Sequence, residues 1–185
     1  WGGVGIWHSR DAAEAMVAAP GDAMPWLEET VTAWHCLSIP ISHRGEVNWR
    51  GHVQSGNAVR PAAVDPGGPL IVLTSAGFAS RDAARLPTIK RFVAGVVEVL
   101  DAYGTHAANL RHAAFRAAFG GRDGFTLSLW LSDEGMREAA YHPGAHRTYV
   151  DEDKAGLLSD RTSFTRLRAI DSWGDWDGEV LSSQA

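Results

Sequence analysis

The octapeptide VGIWHSRD at 4–11 returns, altered but recognisable, as LSLWLSDE at 127–134, an offset of 123 residues. At the same offset Ser9 aligns with Ser132, Asp11 with Glu134, Pro20 with Pro143 and Gly21 with Gly144. Each copy reads as a strand ending in tryptophan, a serine-capped turn, a short helix and a Pro-Gly break. A second correspondence follows: TAWHCLSI at 32–39 matches TSFTRLRA at 162–169, and WRG at 49–51 matches WDG at 176–178. Duplication on this scale means that one supersecondary unit is used twice, and it limits the folds open to the chain.

Residues 52–69, with Pro61, Pro66 and Gly67–Gly68, have the composition of a linker. LIVLTSAGF at 70–78 is a continuous apolar run, expected as a strand covered on both faces. From 85 to 102 a helix is expected, with Leu86, Ile89, Val93, Val96, Val97 and Leu100 on one face and Gly104 ending it. A strand is expected within 105–119, another at 125–131, and an alternating one at 163–170. After Ser132 a helix should run to about Tyr141, break at Pro143 and resume over 145–154.

The second half therefore has the order strand, helix, strand, strand, helix, strand, which is the split βαβ order of a ferredoxin-like unit. The first half supplies only the last three elements. The expectation is an α+β protein of ferredoxin-like repeats forming a dimeric α/β-barrel-type fold, the first repeat lacking its opening strand, helix and strand. It divides as a partial repeat at 1–51, a linker at 52–69, a complete repeat at 70–178 and a tail at 179–185.

Net charge is −5 and the basic residues are scattered, which argues against a nucleic-acid partner. Cys36 is the sole cysteine, so the chain by itself builds neither a disulfide nor a Cys-based metal centre. A cytoplasmic location is the expectation. No G-x-S-x-G occurs, and GDWDGE at 174–179 has carboxylates without EF-hand spacing, so it reads as a turn. Eight tryptophans suit a pocket for a flat or lipophilic ligand, although any one of them is more often core.

FTLSLWLSDEGM at 125–136, Gly144–His146, PLIVLT at 69–74, and SFTRLRAI followed by SWGDWDG resemble, in order and spacing, the spheroidene monooxygenase family. The likeness spans most of the chain. It implies a barrel of the dimeric α+β type holding heme b, which uses O₂ and electrons from a donor such as ferredoxin to hydroxylate or ketolate a carotenoid or other hydrophobic substrate. It also implies that His146 is the axial ligand, with His142 as a rival. The first repeat has Ala23 where the second has His146, so the shared scaffold does not itself require the histidine. The chain departs from the family at RLPTIKRF, 85–92, where an Arg-Phe-Trp-type segment is usual.

Arg91, Arg111 and His112 are candidates for the distal, catalytic side, with Arg166 and Arg168 behind them. Trp130, Phe125 and Phe164 are candidates for the walls of the cofactor cavity. A homodimer and transient contact with a membrane surface accompany this reading. Two alternatives stay open: a cofactor-free monooxygenase acting on a phenol or quinol, and a heme-binding module without enzymatic activity.

Overall fold

The computed structural model describes residues 4–5, 7, 9–19, 30–49, 52–54, 59–80, 82–116 and 123–181. Its elements in chain order are α1 (Arg10–Ala18), β1 (Trp34–Gly45), β2 (Val47–Trp49), β3 (His52–Gln54), β4 (Leu70–Gly77), α2 (Leu86–Gly104), β5 (Asn109–Arg116), β6 (Asp123–Trp130), α3 (Asp133–Tyr141), α4 (Ala145–Lys154) and β7 (Arg161–Gly174). The Pro20–Gly21 break, Ala23 and the Arg50–Gly51 turn lie outside the described residues. Val4, Gly5 and Trp7, expected in a strand, are not in one. Among the described residues no helix is long and apolar enough to cross a membrane.

Five strands form one antiparallel sheet in the order β1-β7-β4-β6-β5. If β4, β5, β6 and β7 are counted one to four, the inner order is 4-1-3-2. That is the ferredoxin-like arrangement, so the expected α+β class is borne out. β4 and β5 both run antiparallel to β6, and α2 makes the crossover between them. β1, from the first half, pairs along the outer edge of β7. It carries Pro40 beside a register shift, a position that an edge strand tolerates because no ladder donor is lost.

Alternation along the strands gives the sheet two unlike faces. On one, Leu70 and Trp130 pack with Tyr103, Met136 and Ala140 from α2 and α3. On the other, Ile71, Leu129 and Ala169 pack with Trp34, Cys36, Leu127, Leu167 and Leu181. β4 contributes to both clusters, as its unbroken apolar run requires. Cys36 lies on this second face, and burial pushes its thiol up to about 12.

α2 buries part of the expected face, since Leu100 packs on the core and Ile89 and Val96 are half-buried, but the buried side is turned toward Phe92 and Tyr103. Phe92 packs edge-on to Phe78, and Tyr103 joins the core, whereas Leu86, Val93 and Val97 are exposed. Two apolar stripes run along this helix, and the larger aromatic surfaces of Phe92 and Tyr103 decide which one faces inward. Gly95 allows α4 to lie close, since a Cβ there would come within 2.3 Å of the Tyr149 ring. The expected linker also contains a strand, β3, which forms a two-stranded hairpin with β2.

Candidate functional site

The C-terminal end of α2, the turn after it, α3 and the start of α4 enclose a cavity of about 290 Å³. Its polar and aromatic walls are Tyr103, His106, Glu138, His142 and His146. Local sequence accounts for how these come together. Ser132 caps α3 by accepting from the Gly135 amide at 3.1 Å, and His142 ends the helix in extended conformation before Pro143. The chain then re-enters α4 with His146 in its first turn. Gly135 brings α3 against the segment carrying His106, because a Cβ at 135 would stand 2.3 Å from that of Ala108.

His146 is half-buried, with Nδ1 2.6 Å from the Ala140 carbonyl oxygen. A carbonyl only accepts, so Nδ1 carries the proton and Nε2 keeps a lone pair. Burial lowers the pKa of the ring, and the bond to Ala140 offsets part of that shift. His146 is therefore a neutral base at pH 7. Nε2 has no hydrogen-bond partner among the described residues.

The Tyr103 ring lies 5.8 Å from the imidazole and meets Trp130 edge-on at 4.9 Å. Burial raises the pKa of its phenol, so Tyr103 stays protonated. His106 has the opposite tautomer. Its Nδ1 accepts from the Ala108 amide at 3.2 Å, which leaves the proton on Nε2. That Nε2 is 3.6 Å from a Glu138 carboxylate oxygen, beyond hydrogen-bond length, so it can still donate to a ligand. The cavity thus pairs an acceptor nitrogen on His146 with a donor nitrogen on His106.

The other sequence-derived candidates are dispersed. His142 lines the cavity beside His146. Trp130 is wholly buried behind Tyr103, its indole N–H donating to Ser128 at 2.8 Å. Arg91 is on the outer side of α2, bonded to Glu152 and stacked over Tyr149. Arg111 pairs with Glu179, and His112 bonds Asn109 at 2.9 Å. Arg168 is buried and held by Asp65 and Asp133, which tie the segment before β4 and the start of α3 to β7. Phe164 lies under Arg44.

Tyr103, His106 and Glu138 were missed in the sequence. Glu138 carried a readable signal, since Glu134, Glu138 and His142 are spaced four apart along one helix face. His106 carried none, because only the packing of α3 on the turn after α2 brings it near.

No family model matches the chain, and no curated protein matches it. Solved structures with a similar fold include PA3566 from Pseudomonas aeruginosa, at 11% identity and TM-score 0.45, covering 58% of this chain and 99% of that one. They also include a mutant of SnoaB, described as a cofactor-independent oxygenase from Streptomyces nogalater, at 12% identity and TM-score 0.41, covering 62% and 98%. A putative antibiotic biosynthesis monooxygenase from Bordetella bronchiseptica matches at 11% identity and TM-score 0.33, covering 62% and 100%.

The expected membership of the spheroidene monooxygenase family is corrected, since no family model matches the chain, and the heme-dependent, carotenoid-oxidising activity goes with it. Heme b does not fit the residues present. The aromatics expected to line one slot do not share one: Phe164 pairs with Thr74 and Phe125 with Ser75, on opposite faces of the sheet. Trp130 pairs with Leu70, four residues from Thr74 along β4 and so about 13 Å away. A cavity of 290 Å³ is at the small end of ligand pockets, which start near ~300 Å³, and suits a small aromatic rather than a porphyrin. Among the described residues no group of three or more His, Cys, Asp or Glu is placed to hold a metal ion. Without heme, the electron donor expected alongside it loses its basis. What the chain shares with these structures is the ferredoxin-like α+β fold.

Proposed function

We propose that the protein is a cofactor-free monooxygenase that oxidises a hydrophobic phenol or quinol with O₂. The observation that carries this reading is His146. Its Nδ1–H is fixed on the Ala140 carbonyl, burial keeps it neutral, and its Nε2 lone pair has no partner among the described residues at a small, largely apolar cavity. Such a group is poised as a general base.

In the proposed reaction His146 Nε2 takes the phenolic proton, and the electron-rich phenolate itself reduces O₂. O₂ adds at a ring carbon bearing hydrogen, and His146 returns its proton to the resulting peroxide. Removal of the ring C–H proton by the same nitrogen cleaves the O–O bond, and the departing hydroxide leaves as water. Phenol and O₂ thus give quinone and water, with all four electrons supplied by the substrate. His106 Nε2–H is available to donate to the peroxide oxygens or to the developing ketone. Water is kept out on the inner side by Tyr103 and the buried Trp130 behind it.

The test is O₂ uptake and quinone formation by the purified protein with a naphthol, without added cofactor or reductant. His146→Gln should lower kcat by about 10²–10⁴-fold while leaving the thermal midpoint close to that of the parent. Equal turnover by the variant would sink the proposal. The rate should also drop as the solution is made acidic. A histidine whose folded pKa lies below its ordinary value of about 6.5 loses the neutral base only in acid, so the apparent pKa of kcat/KM should lie below ~6.5. By the same sign, the unfolded chain binds more protons between the two values. The stability contribution of neutral His146 is therefore present above ~6.5 and lost as pH falls through the folded pKa.

A further inference from the structure

The cavity beside His146 shares three of its lining residues with a second depression. Glu138, His142 and Pro143 also border a shallow groove of about 820 Å³ over the outer side of α3, whose remaining walls are Glu134, Arg137 and Tyr141. Arg137 and Tyr141 are one helical turn apart, about 5–6 Å between Cβ atoms, and so face the same ligand. Arg137 makes no ion pair or hydrogen bond with the described residues, whereas Arg85, Arg91, Arg111, Arg161 and Arg168 are each paired to a carboxylate.

Glu134 and Glu138 line the same groove, and neither is paired with Arg137 among the described residues. Glu138 faces His106, and Glu134 sits in the first turn of α3, where the helix N-terminus stabilises its charge. Arg166 donates to the Tyr141 hydroxyl oxygen at 3.3 Å from the sheet side. That leaves the Tyr141 O–H proton free to donate outward and adds a second cation behind it. A guanidinium fork and a hydroxyl donor a turn apart are the chemistry of a carboxylate site.

We propose that Arg137 and Tyr141 bind an acidic group on the substrate, so that the substrate is a phenol whose carboxylate rests in the groove while its phenolic end enters the His146 cavity. This rests on the function proposed above. 2-Naphthol and 6-hydroxy-2-naphthoate share a ring and a phenol and differ by one distal carboxylate. Calorimetric titration of the full chain should show the naphthoate binding about tenfold or more tightly, with the margin shrinking as salt is raised. In Arg137→Ala the ratio of the two affinities should fall to about one, and Arg137→Lys should restore part of it. His146→Ala should weaken both ligands alike and leave the ratio intact.

A ratio near one in the parent protein, or one that survives Arg137→Ala, would overturn the acidic-group assignment and leave the oxygenase reading standing. Binding of neither phenol, or binding indifferent to His146→Ala, would overturn the reading of the cavity and this proposal with it.

Discussion

Helices α1 and α3 are both nine residues long, and each starts after a serine at φ −150° whose hydroxyl accepts from the amide three residues on, at 3.2 and 3.1 Å. They then diverge. α1 buries Ala13 alone, and Trp7 before it is 37% exposed. α3 buries Gly135, Met136 and Ala140, and Trp130 before it is fully buried. The duplicated sequence thus reproduces the cap and the helix, but not the packing. A helix of this length is marginal by its local interactions, so whatever it packs against decides what it is worth.

The sharpest way to break this comparison is at the paired tryptophans. Trp130→Ala removes a fully buried ring and a hydrogen bond to Ser128, and should cost about 3–5 kcal/mol in urea unfolding. Trp7→Ala should cost about 1 kcal/mol or less, because Trp7 is 37% exposed where Trp130 is wholly buried. Comparable losses at the two positions would mean that the copies are packed alike.

A smaller effect is expected at Gly135, whose counterpart in α1 is the exposed Ala12. Gly135→Ala gains helix propensity but drives a methyl to 2.3 Å from Ala108, for a net cost of about 1–3 kcal/mol. The variant should also perturb the His146 cavity, since the same contact positions His106. A stabilised variant with unchanged ligand affinity would show that α3 has room to move.

The caps give the smallest and most local difference. Ser132→Ala should lower global stability by about 1 kcal/mol, the usual worth of a serine N-cap. Ser9→Ala should instead speed amide exchange within α1 and shift global unfolding by under about 0.5 kcal/mol. Equal global losses would place α1 in the same cooperative unit as α3.

Much of the fold was legible because its signals are local. Ser132, the break at Pro143 and the restart at 145 are positions where one residue type satisfies or denies a backbone hydrogen bond. The apolar run of β4 and the order of elements in the second half led to the ferredoxin-like sheet in the same way. The buried face of α2 was only partly legible: Ile89, Val96 and Leu100 are covered as expected, but Leu86–Val93–Val97 and Phe92–Tyr103 are both apolar and periodicity does not rank them. The resemblance behind the heme reading rested on strand-and-turn motifs that any unit of this fold can carry. Those motifs say nothing of whether Phe125, Phe164 and Trp130 share a slot.

His146 stood out in the sequence as the residue present in one repeat and absent from the other. Its chemistry came from elsewhere. The Ala140 carbonyl selects the tautomer, burial keeps the ring neutral, and packing of α3 on the turn after α2 places His106 and Glu138 across from it. Hydrogen bonds closed within a few residues are dictated by the order of residue types, so the sequence determined the caps, the helix breaks and the succession of elements along the chain. The Ala140 carbonyl is near His146 in the chain, but Tyr103 and His106, which cover and face the ring, belong to α2 and the turn after it, and only the tertiary structure brings those into range.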